Sequence, residues 1–123
     1  GKILIGLRSK KDQGGGLWEF PGGKIELEES DVNAMIRELK EELGINAFVE
    51  QKVMQYVHKY KNTLYDISFF EINLFKGEVK MNVHDELKWV DLSNLKDYVF
   101  ISGDLLFIDK LLNNPSILNG LNK

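Results

Sequence analysis

The spacing of apolar residues changes several times along this chain, and each change marks a different element. Ile3, Leu4, Ile5 and Leu7 form a short apolar run that predicts a buried strand. Residues 9–16 (SKKDQGGG) are charged and glycine-rich and predict a mobile loop. A short strand is expected around 17–20, then a tight turn at Pro21-Gly22-Gly23, where glycines let the backbone come close to a ligand or metal. From Val32 the apolar spacing becomes +4, +3 and +4 through Ile36, Leu39 and Leu43, which predicts a helix over 31–43 with that face buried. Ser30 is a good N-cap for it, and Gly44 stands where a left-handed C-cap glycine is expected.

Two long strand-like stretches follow, 47–60 and 63–75, joined near Lys61-Asn62. Gly77 starts another turn, and 87–90 reads as a short strand after the polar segment 82–86. A second helix is expected over 103–112, with Leu105, Ile108, Leu111 and Leu112 on its apolar side. Pro115 ends it, and the polar tail 119–123 is expected to fray. No repeat, linker or low-complexity segment is visible. Strands flanked by two helices imply a single α/β domain over residues 1–123, layered α/β/α.

At 123 residues the chain can bury one core and is too short for two. A net charge of −3 argues against a broad electrostatic grip on nucleic acid polymers, but not against a small phosphorylated ligand. Without cysteine there is neither a disulfide framework nor thiolate zinc, which fits the cytoplasm. No apolar run is long enough for a membrane span, and no signal peptide is visible.

The candidate chemistry sits on the first helix. Glu38, Glu41 and Glu42 stand at i, i+3 and i+4, so a helix gathers three carboxylates on one stripe. They repel one another, and a divalent cation such as Mg²⁺ reverses that sign. The alternative is a solvated acidic face on an amphipathic helix. The wider pattern decides between them. Gly23, Glu29, Arg37-Glu38-Leu39, Glu41-Glu42 and Gly44-Ile45 keep a fixed spacing that resembles the Nudix hydrolase signature at every specified position. Upstream, Trp18-Glu19-Phe20-Pro21-Gly22-Gly23-Lys24 resembles the approach to that box in MutT-type nucleoside triphosphate pyrophosphohydrolases.

The resemblance implies the Nudix fold, a three-layer α/β/α sandwich around a mixed β-sheet. Members usually carry another strand before this point, so a native N-terminal segment is expected to be lacking here. It also implies Mg²⁺ (or Mn²⁺) held by Glu38, Glu41, Glu42 and the Gly22 carbonyl, with Glu38 or Glu41 as general base. Arg37 then holds Glu41 or Glu29 in place, although an i,i+4 surface ion pair is a sufficient reason for it. Glu29 also complements the positive end of the helix. Arg8, Phe20, Gly23 and Lys24 are the implied substrate contacts. Asp104 falls where one polar residue reads the base, and an aspartate there favours an exocyclic amine such as N4 of cytosine or, if protonated, an oxidised purine. Asp85 and Glu86 are candidates for a further carboxylate near the metal, although the position that matches is Val83. Trp18 and Trp89 can stack a base or belong to the core, and His58 and His84 have no metal-ligand spacing.

The implied activity is cleavage of a (deoxy)nucleoside triphosphate, of the 8-oxo-dGTP or CTP/dCTP type, to monophosphate and pyrophosphate. The implied protein is a cytoplasmic monomer or homodimer acting on small nucleotides, without nucleic acid polymer or membrane. Nucleotide sugars and dinucleoside polyphosphates are the alternative substrates. A non-catalytic nucleotide-binding module is the alternative class, disfavoured because all four box glutamates are kept.

Overall fold

The computed structural model describes residues 2–23 and 25–120. Its elements run β1 (Lys2–Leu7), β2 (Trp18–Glu19), α1 (Asp31–Leu43), β3 (Asn46–Phe48), β4 (Gln51–Tyr60), β5 (Thr63–Glu71), β6 (Leu74–Lys76), β7 (Glu86–Asp91) and α2 (Leu105–Asn113). β1 lies between β2 and β7 and is antiparallel to both, while β3 pairs with β6 and β4 with β5. A parallel bridge joins Trp18 to Phe100, so both pairing senses occur in the strand layer.

β1 separates two apolar cores because side chains alternate across a strand. Ile3 and Ile5 join Phe69, Val90, Leu95, Phe107 and Leu111 on the α2 side, while Leu4 joins Leu39, Leu43, Ile45 and Ala47 on the α1 side. This is the α/β/α layering expected. Among the described residues no helix is long and apolar enough to cross a membrane.

The two long strands expected over 47–60 and 63–75 are each broken in two. β3 ends at Phe48 before β4 starts at Gln51, and β5 ends at Glu71 before β6 starts at Leu74. The breaks fall opposite each other because one hairpin serves both cores. Tyr56 and Phe69 pack on the α2 side, whereas Ala47, Ile72 and Phe75 pack on the α1 side. The hairpin turn is where expected, with Lys61 and Asn62 at φ 48° and 65°.

α1 has the expected caps: Ser30 Oγ accepts from the Asn33 N–H at 3.1 Å, and Gly44, at φ 71°, donates to the Lys40 carbonyl. Its buried face differs from the one expected. Ala34, Leu39, Glu42 and Leu43 are buried, whereas Val32 is 37% exposed and Ile36 is only half-buried. The helix is rotated so that Met35 and Glu42 face the 21–23 turn, since Gly22 donates to Glu42 and lies against the Met35 methyl.

α2 starts at Leu105, after a 3₁₀ turn (Ser102–Asp104), so Asp104 precedes the helix rather than standing in its first turn. Phe107 takes the buried place expected of Leu105, which is exposed. Pro115 opens a further 3₁₀ turn beyond the helix end, as expected of a helix breaker. The following tail is tied down rather than frayed as far as Gly120: the Asn119 and Gly120 N–H groups donate to the buried Glu71 carboxylate at 2.9 and 2.6 Å. Residues 121–123 lie outside the described residues. The 9–16 loop is closed by Asp12 N–H to the Ser9 carbonyl (3.0 Å), Gly16 N–H to the Arg8 carbonyl (3.2 Å) and Lys10 N–H to Asp85 (3.1 Å).

The rotation of α1 is checked by two truncations. Leu43→Ala, at a side chain that is fully buried, is expected to cost roughly 2–5 kcal/mol in denaturant unfolding. Val32→Ala is expected to cost less than about 1 kcal/mol, and equal losses would contradict the rotated face.

Candidate active site

The 21–23 turn and the C-terminal half of α1 form the centre of the site. A side chain on Gly23 would overlap the Glu38 carboxylate, so glycine is needed there for the turn and the acid to meet. The Gly22 N–H donates to Glu42 Oε1 at 3.4 Å. Glu38 and Glu42 have side chains only 16% and 10% exposed and stand close enough for Glu38 to raise Glu42. Two ionised carboxylates brought this close repel each other, and a proton or a cation relieves that repulsion. Burial, then the contact with Glu38, then the charge of Glu19 raise Glu42 well above the usual carboxylate range. A hard divalent cation fits this donor set, because it takes carboxylate and carbonyl oxygens and removes the repulsion.

Glu41 stands at the exposed edge of the stripe. Neighbouring helix positions point about 100° apart, so with Glu42 turned inward the Glu41 side chain is 58% exposed. Arg37 links it to the rest. Its Nε and Nη2 donate to Glu29 at 2.8 and 3.0 Å, and its Nη1 to Glu38 at 2.8 Å and Glu41 at 3.2 Å. These bonds, Glu29 first, raise the guanidinium above its usual range, and the Arg37 bond in turn lowers Glu29.

Two residues assigned no role in the site from sequence complete the cluster. Glu19 is buried, with Oε1 accepting from Arg8 Nη1 at 2.6 Å and Oε2 2.8 Å from His84 Nε2. His84 Nε2 lies 3.8 Å from Glu42 Oε1, so Glu19, His84 and Glu42 converge from β2, the loop before β7 and α1. An acid inside the apolar run Leu17-Trp18-Glu19-Phe20 was the available signal for Glu19. His84, between Val83 and Asp85 in a polar segment, gave none. Asp85 binds the Lys10 N–H and Glu86 lies 3.5 Å from Lys88, so neither makes a contact with the box glutamates.

Asp104 is 6% exposed and accepts from the Phe20 N–H through Oδ2 at 3.1 Å. β4 braces its turn: Tyr56 Oη donates to the Gly103 carbonyl, and His58 Nε2 is 3.0 Å from Ser102 Oγ. Burial pushes Asp104 up to about 7, against the Phe20 hydrogen bond. The Phe20 ring packs on Phe69, Phe100 and Phe107 at centroid distances of 6.2, 5.3 and 5.5 Å. Trp18 packs edge-on against Tyr98 at 5.0 Å, and Trp89 is half exposed on β7. A cavity of about 1210 Å³ has Arg8, Phe20, Gly22, Gly23 and Asp104 in its lining, which is ample for a nucleotide. Lys24 lies outside the described residues.

An acid-lined turn–helix under a nucleotide-sized cavity defines a hydrolase of phosphoanhydrides, and the comparisons agree. The chain belongs to the Nudix family: the model of the NUDIX domain matches residues 1–110. It is 31% identical to the CTP pyrophosphohydrolase of Escherichia coli K12 over 91% of this chain and 83% of that protein. It is 36% identical to the 8-oxo-dGTP diphosphatase of Proteus vulgaris over 63% of this chain and 69% of that one. The solution structure of the E. coli ORF135 protein superimposes with a TM-score of 0.83 at 30% identity, over 94% of this chain and 82% of that one. The fold is therefore the Nudix fold, and the chain is an enzyme of the Nudix hydrolase class, which works with a divalent metal ion.

The raised Asp104 has a stability consequence. Its acid form is favoured in the folded protein, so its contribution is full below about pH 4 and is lost as pH rises towards about 7. In metal-free protein, Asp104→Asn is expected to raise stability relative to wild type at pH 8, by up to roughly 4 kcal/mol, with little difference at pH 4. Parallel thermal-melt profiles across that range would contradict the assignment.

Proposed function

We propose that this chain is a Mg²⁺-dependent nucleoside triphosphate pyrophosphohydrolase, cleaving a (deoxy)nucleoside triphosphate of the CTP or 8-oxo-dGTP type to monophosphate and pyrophosphate. The observation that carries the reading is the pair of largely buried acids Glu38 and Glu42 against the glycine turn, an arrangement that a hard cation stabilises. The names of the relatives, CTP pyrophosphohydrolase and 8-oxo-dGTP diphosphatase, support the substrate class. Glu38, Glu42 and the Gly22 carbonyl are the groups that would hold Mg²⁺, with Glu41 beside them. When bound, the ion supplies positive charge against the phosphate oxygens and acidifies water.

The chain's own residues do the rest. Water adds across the anhydride: its oxygen bonds to phosphorus, the P–O bond to the pyrophosphate group breaks, and its proton passes to the carboxylate of Glu38 or Glu41. Arg37 orients both acids and, through a two-point bond, Glu29. Arg8 meets the anionic part of the substrate at the cavity wall, and Gly23 and Lys24 are further substrate contacts. Phe20 supplies an aromatic wall, and Asp104 reads the base. Asp104 Oδ2 is used by the Phe20 N–H, and among the described residues Oδ1 carries no hydrogen bond. At neutral pH an acid with its proton available offers a donor as well as an acceptor, which suits an amino-substituted pyrimidine or an oxidised purine. The net charge of −3 favours free nucleotides over polymers. The enzyme acts in the cytoplasm as a monomer or homodimer, within one catalytic domain.

Purified protein with Mg²⁺ is expected to release pyrophosphate from at least one member of a panel of canonical and oxidised nucleotides, and chelation is expected to abolish this. Glu38→Gln and Glu42→Gln are each expected to lower kcat by roughly 10²–10⁴-fold. Turnover at wild-type rate in both variants would overturn the mechanism, and activity confined to ADP-ribose would overturn the substrate class.

A further inference from the structure

His84 is the least accessible polar side chain of the site. Only 1% of it is exposed, its Nε2 faces Glu19 at 2.8 Å, and its Nδ1 is buried with no hydrogen-bond partner. The ring fits because Gly6, on β1, presents no side chain. A Cβ there would come within 2.5 Å of the imidazole Cδ2 and 2.8 Å of Nε2.

This arrangement selects one form of the ring. With its proton on Nε2, the imidazole gives Glu19 a hydrogen bond and leaves only a lone pair unmatched at Nδ1. With the proton on Nδ1, a donor is buried without an acceptor and two lone pairs meet at 2.8 Å. Nε2 is therefore a donor, and it is not open to a cation even though Glu19, Glu42 and His84 offer atoms within 4.8 Å of one another. At 3.8 Å from Nε2, Glu42 stays outside this bond and keeps its oxygens for the helix side of the site.

The Glu19 carboxylate is thus fixed at both ends. Oε2 is held by His84, and Oε1 accepts from Arg8 Nη1, whose Nε in turn donates to the Gln13 carbonyl at 2.8 Å. We propose that His84 is a positioning residue that donates through Nε2 to Glu19 and, by fixing that carboxylate, sets the Arg8 guanidinium in the orientation that receives the anionic substrate. The assignment rests on the reading of Arg8 as a substrate contact. It makes His84 a determinant of substrate affinity that touches neither substrate nor metal.

The test compares His84→Gln, which keeps an N–H donor near the place of Nε2, with His84→Leu, which removes it. Steady-state kinetics use Mg²⁺ and the best nucleotide of the panel. His84→Leu is expected to raise KM by about tenfold or more, the scale of one lost charge-assisted contact, with kcat within about threefold of wild type. His84→Gln is expected to recover most of that loss. Gly6→Ala, which must push the ring aside, is expected to raise KM in the same direction and serves as the independent variant if His84→Leu fails to fold. Long-range ¹H–¹⁵N spectra of the wild-type chain are expected to show the His84 ring with its proton on Nε2. Unchanged KM in His84→Leu and Gly6→Ala, a shift in the Mg²⁺ concentration for half-activity in place of KM, or a ring protonated on Nδ1 would each overturn the proposal. Failure of the wild-type protein to hydrolyse any nucleotide would instead defeat the functional reading, while the ring protonation would still decide the role of His84.

Discussion

Three carboxylates, from Glu19, Glu38 and Glu42, are brought out of water towards one another, and this crowding of like charge governs the site. Each neighbouring feature relieves it or makes room for it. Glycine at 23 lets Glu38 lie against bare backbone. Arg8 and Arg37 stand on opposite flanks, the first on Glu19 and the second on Glu38, Glu29 and Glu41. A helix that served packing alone would have an apolar residue at position 42, because that position points into the α1-side core margin between Leu39 and Leu43.

The fold assembles this from remote segments by means of β1. Its alternation sends Ile3 and Ile5 to one core and Leu4 to the other, so both helices are referenced to a single strand. Gly6 continues the α1-side face and opens the slot for His84, and Arg8 follows just beyond the strand. The bent β4–β5 hairpin then carries Tyr56 and His58 to the turn that presents Asp104.

Much of this was legible from residue pattern. The caps of α1, the glycine turn, the hairpin at Lys61-Asn62 and the helix stop before Pro115 depend on local chemistry, and they stand where spacing placed them. The box glutamates and Arg37 were visible because their spacing is helical and short-range. What escaped depends on contacts across the chain. The apolar repeat Val32, Ile36, Leu39, Leu43 cannot say that the 21–23 turn packs beside Met35, so it could not reveal the rotation that buries Glu42 and leaves Glu41 exposed. Strand propensity is continuous through 47–60 and 63–75, and only the presence of two cores explains the bends. Glu19 and His84 are 65 residues apart, and each has meaning only through the other.

The Glu71 carboxylate works in the opposite sense to the acids of the site. It is buried, yet it accepts from Gln51, Asn73, Asn119 and Gly120, and these bonds outweigh the burial that would raise it, so it is held below its ordinary range. What it contributes is present above the ordinary carboxylate range and disappears as the medium becomes acidic, whereas Asp104 and Glu42 become easier to bury under the same conditions. Acidification therefore eases the burial of Asp104 and Glu42 while it releases the Glu71 clasp. The segment after α2 is tied to the strands through a clasp that needs its carboxylate ionised, whereas Asp104 is most at home with its proton on.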